Sequence, residues 1–227
     1  MFSHLGPLRI DSSFISGSGC SHSVKDPPSV SALRRIARSG SPSIQMKAIT
    51  ETNLMSAFGG ESQAHMRYLL FSDVAAEEDL PNVARLFSVI SYAEKVHAGL
   101  HFRNLSHLKG AYTVNSGAGF GPGDTLKNLE ISIEGESFEV EEMYPVYIET
   151  SKFQGERSAT IGMEWALKVE KIHLAMYMRA KKAVESGRDL DLGDVFVCEG
   201  CGYTVEGDVP DVCPICGSRS DRFQAFP

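Results

Sequence analysis

One polar pattern occurs twice in this chain, and it constrains the possible folds more than any other feature. Gly60-Glu61-Ser62 is followed by Glu94-Lys95-Val96-His97, a step of 33 (61 to 94). Gly135-Glu136-Ser137 is followed by Glu170-Lys171-Ile172-His173, a step of 34 (136 to 170). Self-similarity at this spacing predicts two like helical hairpins. Each would give one Glu from its first helix and a Glu-x-x-His unit from its second.

Between Thr50 and Val184 the apolar residues recur with a helical period. Four stripes step by three or four residues, so each marks one helical face. The first reads Leu54, Phe58, Glu61, His65, Tyr68, Ser72, with Thr50 or Thr52 as the expected N-cap. The second, after a start at Pro81, reads Val83, Phe87, Ile90, Glu94, His97, His101. A Gly-rich loop, Gly110 to Gly123, separates the two pairs. The third stripe reads Leu126, Leu129, Ile133, Glu136, Glu139, Met143, with a kink or break expected at Pro145. The fourth reads Met163, Ala166, Glu170, His173, Tyr177, Ala180.

Each face is apolar at its ends and carries Glu or His in the middle. A buried, ionised carboxylate without a partner is strongly disfavoured. Either these faces are not buried, or positive charge lies between them. Positions i and i+3 share one side of a helix, so the Glu and His of each unit can grip one metal together. Carboxylates from facing helices can bridge two metals while two imidazoles complete the ends, as in di-iron and di-manganese carboxylate bundles. Two divalent ions would bring +4 against −5 from Glu61, Glu94, Glu136, Glu139 and Glu170. Mixed carboxylate and imidazole donors suit iron or manganese.

A single Glu-x-x-His is ordinarily a solvated helix face; the doubling, phased with Gly-Glu-Ser, points to metal. His65 and His101 have no counterpart in the repeat, so supporting or solvent-facing roles are expected for them rather than ligation. Tyr68 and Tyr144 are placed either to donate hydrogen bonds to ligating carboxylates or simply to pack in the core. Trp165 reads as core.

The chain has five cysteines. Cys20 stands alone, while Cys198-Glu199-Gly200-Cys201 and Cys213-Pro214-Ile215-Cys216 form two C-x-x-C knuckles, each with a Gly directly after its second Cys. Paired knuckles read as a metal site rather than a disulfide framework. Four thiolates in a tetrahedron suit zinc or iron, and spacing alone leaves both open. A thiolate site fits a reducing compartment, so the expected location is the cytoplasm, with an organelle as the alternative.

That alternative comes from residues 1–46, which hold twelve serines, five basic and two acidic residues. A disordered tail, an organelle transit peptide and sequence upstream of a misassigned start all compete here. The net charge of −7 argues against non-specific nucleic-acid binding. No apolar run approaches the roughly 18–20 residues that span a bilayer. The expected organisation is therefore an extension over 1–46, a helical bundle over 47–187 and a metal-knuckle domain over 188–227.

From Met46 to Pro227 the sequence resembles rubrerythrin. The resemblance rests on Gly60-Glu61-Ser62-Gln63-Ala64, on Gly135-Glu136-Ser137-Phe138-Glu139 with Glu142-Met143-Tyr144-Pro145, and on both Glu-x-x-His units and the cysteine tail in the same order. It implies a mainly α fold, a ferritin-like four-helix bundle with a C-terminal rubredoxin-like domain. It implies seven di-iron ligands: Glu61, Glu94, His97, Glu136, Glu139, Glu170 and His173. Glu139 is the carboxylate by which rubrerythrins differ from six-ligand ferritin-like oxidases. Tyr68 and Tyr144 match tyrosines that hydrogen-bond near the site, and His65 departs from the commoner arginine. Joined to such a bundle, Cys198, Cys201, Cys213 and Cys216 would hold one iron rather than zinc.

The implied activity is reduction of hydrogen peroxide to water in oxidative-stress defence. Electrons would come from a rubredoxin or an NAD(P)H-dependent reductase through the cysteine iron, in a head-to-tail homodimer, with neither nucleic acid nor membrane as partner. The alternatives are a ferroxidase or iron-handling protein and, in a third class, a non-enzymatic electron carrier or zinc-ribbon interaction module.

Overall fold

The computed structural model describes residues 48–227. The expectations for residues 1–46, and for Cys20, lie outside the described residues. Four helical rods come first: α1 (Ala48–Glu77), α2 (Pro81–Asn104), a third rod made of α3 (Thr125–Phe138), a π-turn (Glu139–Met143) and α4 (Tyr144–Phe153), then α5 (Arg157–Glu185). Strands β1 (Val195–Cys198), β2 (Thr204–Glu206) and β3 (Phe223–Phe226) follow, with a short 3-10 turn at Ser220–Arg222.

The two hairpins form as the repeat predicts. α1 packs along α2, the third rod packs along α5, and α2 meets α5 across the bundle. Every residue of the second and fourth stripes is buried, including the polar Glu94, His97, His101, Glu170 and His173. The first stripe is rotated from its expected position. Ala57, Ala64, Phe71 and Ala75 of α1 face the interior beside Leu54, Glu61 and Tyr68, whereas His65 lies at the flank. Small residues along that line let α1 approach α2 closely, and a period-based reading that weights large side chains misses them.

Two expectations about helix ends are corrected. Neither Thr50 nor Thr52 is the N-cap of α1, because the helix already runs from Ala48. The Thr50 N–H, unsatisfied within the first turn, instead donates to Gln154 Oε1 at 2.8 Å, a partner from the far end of the third rod. Pro145 does not break its helix. The Tyr144 N–H reaches back five residues to the Glu139 carbonyl, and this wider turn directly precedes the proline and the continued helix. Proline in a helix lacks its N–H and crowds the carbonyl four residues back. The wide turn relieves that conflict and keeps the rod unbroken.

Downstream of α5 the chain crosses to the N-terminus of α2. Asp189 accepts hydrogen bonds there from the N–H groups of Asn82 and Val83 at 2.9 and 3.2 Å. Arg85 then donates to the carbonyls of Leu192 and Phe226 at 2.6 and 3.2 Å. These ties fix a three-stranded antiparallel sheet of order β2-β1-β3, with Val195 opposite both Glu206 and Phe226. β1 and β2 lie against α2, and β2 also touches α5. No helix among the described residues is long and apolar enough to cross a membrane.

Candidate metal centres

The midpoint of the bundle gathers six of the sequence-predicted ligands. One group is Glu61, Glu94, His97 and Glu170; the other is Glu94, Glu136, Glu170 and His173. Within each group the donor atoms lie within 4.8 Å of one another. Glu94 and Glu170 belong to both, which is the position of a bridging carboxylate. All six side chains are at most 1% exposed.

The imidazoles enter in matching fashion. His97 Nδ1 lies 2.6 Å from Glu170 Oε1 and 3.0 Å from Glu94 Oε2. His173 Nδ1 lies 2.8 Å from Glu170 Oε2 and 3.2 Å from Glu94 Oε1. Their outer nitrogens are held by the C-terminal sheet region. His97 Nε2 is 3.1 Å from the Cys201 carbonyl, which can only accept. His173 Nε2 is 3.0 Å from Thr204 Oγ1, whose own proton goes to the Gly202 carbonyl. Nε2 of both rings is thus a donor, and Nδ1 faces the carboxylates, where it carries a proton in the metal-free chain and would give its lone pair to a metal.

The carboxylates show what is missing from a purely protein environment. Glu61 Oε2 and Glu136 Oε2 are buried and make no hydrogen bond, and Glu94 Oε1 and Glu170 Oε1 meet only the Nδ1 atoms of His173 and His97. Each such orphan costs about 1–3 kcal/mol, and more when charged. Burial drives Glu61 and Glu136 well above the usual carboxylate range, with further push from Glu139 on Glu61 and from Glu94 on Glu136. Burial resists charging of His173, yet Glu94 and Glu170 overcome it and raise the imidazole to about 8. The cluster is short of positive charge. Four buried carboxylate oxygens turned toward two inward Nδ1 atoms fit two divalent cations.

The outer carboxylates are each tethered through their other oxygen. Tyr68 donates to Glu136 Oε1 at 2.7 Å, and Tyr144 donates to Glu61 Oε1. Both readings open for these tyrosines are met: each hydrogen-bonds a site carboxylate and is buried in the hydrophobic core. The tethers also explain the unequal repeat. Tyr68 and Tyr144 each precede their hairpin's second Glu by 26 residues (68 to 94, 144 to 170), but Tyr68 follows Glu61 by seven and Tyr144 follows Glu136 by eight. The extra residue falls in the π-turn, which is why one step is 34 and the other 33.

The π-turn begins at Glu139, and Glu139 is the one sequence-predicted ligand that neither group contains. Its position in the first hairpin is held by Ala64 (61 to 64, as 136 to 139). Glu139 lines a cavity of about 330 Å³ with Gly60, Gln63, Arg67, Gly135 and Phe138, covered by Ser116, Gly117 and Phe120 of the Gly-rich loop. Burial raises its carboxyl well above the usual range, and Glu170 and Glu94 push it further.

Sequence reasoning missed Arg67, left the roles of His65 and His101 between support and solvent, and read Trp165 as core. Arg67 borders the cavity and lies 5.3 Å over the Tyr68 ring. His101 is wholly buried and reaches Tyr144, while burial and the nearby His97 hold its own imidazole down at about 3. His65 bonds Ser91, at 2.8 Å to both its carbonyl and its hydroxyl, and so ties α1 to α2 away from the carboxylates. Trp165 is not core: it is half-buried and packs against the cysteine cluster. Only the unmatched histidine positions in the repeat signalled any of this.

The four cysteine sulfurs form the second centre, all within 4.8 Å of one another. Cys198 to Cys216 and Cys201 to Cys213 are each 3.6 Å apart. That is too long for a disulfide and close to the edge, about 3.8 Å, of a tetrahedron with metal–sulfur bonds near 2.3 Å. Cys198 is drawn down to about 5 by a hydrogen bond from the Cys201 thiol and, with smaller effect, by the Gly200 N–H. Gly202 has φ +84°, and a Cβ there would lie 2.5 Å from His97 Nε2. Its bare backbone lets the knuckle rest on the imidazole of its own chain.

A helical bundle with paired Glu-x-x-His units and bridging carboxylates defines the class of di-metal carboxylate proteins. Comparisons with known proteins narrow this. The rubrerythrin family model matches residues 52–181, and the model for the rubrerythrin rubredoxin-like domain matches residues 196–224. Rubrerythrin-2 of Clostridium acetobutylicum is 41% identical over 179 residues, covering 79% of this chain and 97% of that protein. Nigerythrin of Nitratidesulfovibrio vulgaris is 30% identical, covering 78% and 86%. A solved structure of mixed-valence nigerythrin superimposes with TM-score 0.69 at 29% identity, again over 78% and 86%.

The chain belongs to the rubrerythrin family. Its fold is the expected ferritin-like bundle with a rubredoxin-like knuckle, and its donor sets match a di-iron carboxylate centre and a four-cysteine iron centre.

Proposed function

We propose that this protein is a peroxidase that reduces hydrogen peroxide to two waters, using two electrons and two protons. Two ferrous ions held by Glu61, Glu94, His97, Glu136, Glu170 and His173 would supply those electrons and polarise the peroxide oxygens. The protein's own groups do the rest. Glu94 and Glu170 belong to both donor groups and would be shared between the two cations. Tyr68 and Tyr144 hold the outer carboxylates in place by one oxygen each, leaving the other for metal. The cavity of about 330 Å³ beside Glu139 has room for a molecule the size of peroxide, and residues of the Gly-rich loop form part of its wall.

One observation carries this reading: the 3.1 Å contact between His97 Nε2 and the carbonyl of Cys201. It joins a side chain of one metal centre to a ligand residue of the other by a single hydrogen bond, a direct inlet for electrons arriving one at a time. An iron-storage protein has no use for such an inlet. The donor we assign is a rubredoxin or an NAD(P)H-dependent reductase, in a reducing interior such as the cytoplasm. The assembly we assign is a head-to-tail homodimer.

The test is anaerobic. Fully reduced protein mixed with peroxide or with dioxygen should oxidise much faster with peroxide. Equal rates, with iron accumulating beyond the capacity of the two centres, would establish iron handling instead.

A further inference from the structure

The residue four beyond His173 is Tyr177, but the residue four beyond His97 is His101, so the two hairpins differ at this point. His101 is fully buried and its Nε2 lies 2.9 Å from the Tyr144 hydroxyl. That hydroxyl donates its only proton to Glu61 Oε1. The hydrogen bond from His101 must then be donated by its Nε2–H, and with no acceptor at the buried Nδ1 the ring is the neutral Nε2–H tautomer. Its Nδ1, buried and without a partner, bears the lone pair. In the other half, Tyr68 donates to Glu136 but is backed edge-on by Tyr177, with ring centroids 5.3 Å apart. The Tyr177 hydroxyl makes no hydrogen bond. Nothing there fixes the direction of the Tyr68 proton from behind.

We propose that His101 is a positioning residue: by donating to Tyr144 it locks that hydroxyl as a donor to Glu61 Oε1, presents Glu61 Oε2 to the cation, and makes the Glu61–Glu94–His97–Glu170 position the tighter of the two. The proposal rests on the di-metal reading of the bundle. Preorganisation is the physical basis, since a ligand already turned toward its metal loses less rotamer freedom on binding.

The experiment is calorimetric titration of the full chain, its four-cysteine site filled with zinc, with Co²⁺ alone. Wild-type protein should show two steps. H101L should weaken the tighter step by about 10–100-fold, the usual effect of losing an outer partner of a ligand. H101Q, whose amide nitrogen falls where Nε2 lies, should restore it; H101N, whose amide reaches only as far as Nδ1, should not. Y144F should weaken the same step, and adding H101L to it should change nothing further.

A tighter step in H101L within about twofold of wild type, equal rescue by Asn and Gln, or multiplying effects of H101L and Y144F would each overturn the proposal. If H101L does not fold, the contrast of Gln with Asn decides. A wild-type bundle that takes up no Co²⁺ would sink the di-metal reading itself, whereas normal wild-type binding with indifferent variants would sink only the role of His101.

Discussion

Gly202 and His97 are in contact because Gly202 has no side chain: a Cβ built on it would stand 2.5 Å from His97 Nε2 and 3.4 Å from the Ala93 carbonyl. The backbone there is also left-handed, at φ +84°. G202A should therefore cost about 1–2 kcal/mol from φ alone, and lift the knuckle from α2. Stopped-flow absorption of the reduced protein should show the cysteine iron reoxidising more slowly after peroxide is added, with iron content unchanged.

Shared carboxylates should be costlier to lose than terminal ones. E170A removes a donor from both metal positions, while E61A removes one from a single position. Metal analysis of anaerobically loaded protein should find both irons depleted in E170A. E61A should retain one. Loss of a ligand should exceed the roughly 10–100-fold cost of losing an outer partner.

Glu139 stands at the cavity wall rather than in either donor group. E139A should accordingly still bind two irons in the bundle. Peroxide reduction should slow nonetheless, because the only carboxylate lining the cavity beside Glu134 is gone. Iron content and single-turnover oxidation, measured on the same sample, check the two halves separately.

Metal-free protein should lose stability as pH rises. Glu61, Glu136 and Glu139 are raised by burial above their ordinary value of 4.5, so the folded state holds protons that the unfolded chain releases above that value. His97 is raised as well, and His173 from 6.5 to about 8, so their contribution is full below 6.5 and fades as pH climbs through 8. Glu94 and Glu170, both lowered, act only in acid. Melting curves of the metal-free chain should shift down between pH 6 and pH 8.5, a window of about those two histidine midpoints. With metal bound the trend should flatten or reverse, since cations replace the protons.

The cysteine centre should set the folding of the C-terminal segment. Its sheet has three short strands and its own cluster is built of Cys198, Cys201 and Cys213. C213S should leave residues after Leu192 open to proteolysis while the helical signal persists, because metal supplies much of the folding energy in so small a unit. A red visible absorption in the oxidised wild type would mark iron; a colourless protein would mark zinc.

Much of this protein was legible in its sequence because local periods and pairings wrote it there. The helical period places Glu94 with His97, and Glu170 with His173, on the same faces as apolar residues, and paired C-x-x-C knuckles bring four sulfurs together. Pro81 marks a helix start from its missing N–H alone. Contacts between distant segments were not legible. Gln154 satisfies Thr50 across 104 residues, Cys201 fixes the His97 tautomer across another 104, and Tyr144 holds Glu61 across 83. The π-turn was foreshadowed only by a repeat one residue too long, and its consequence, Glu139 at a cavity wall, depends on the helices that crowd it. Side-chain period decides which residues point inward; which of their oxygens is free, and what each nitrogen bonds, is settled only when the helices and the knuckle close around them.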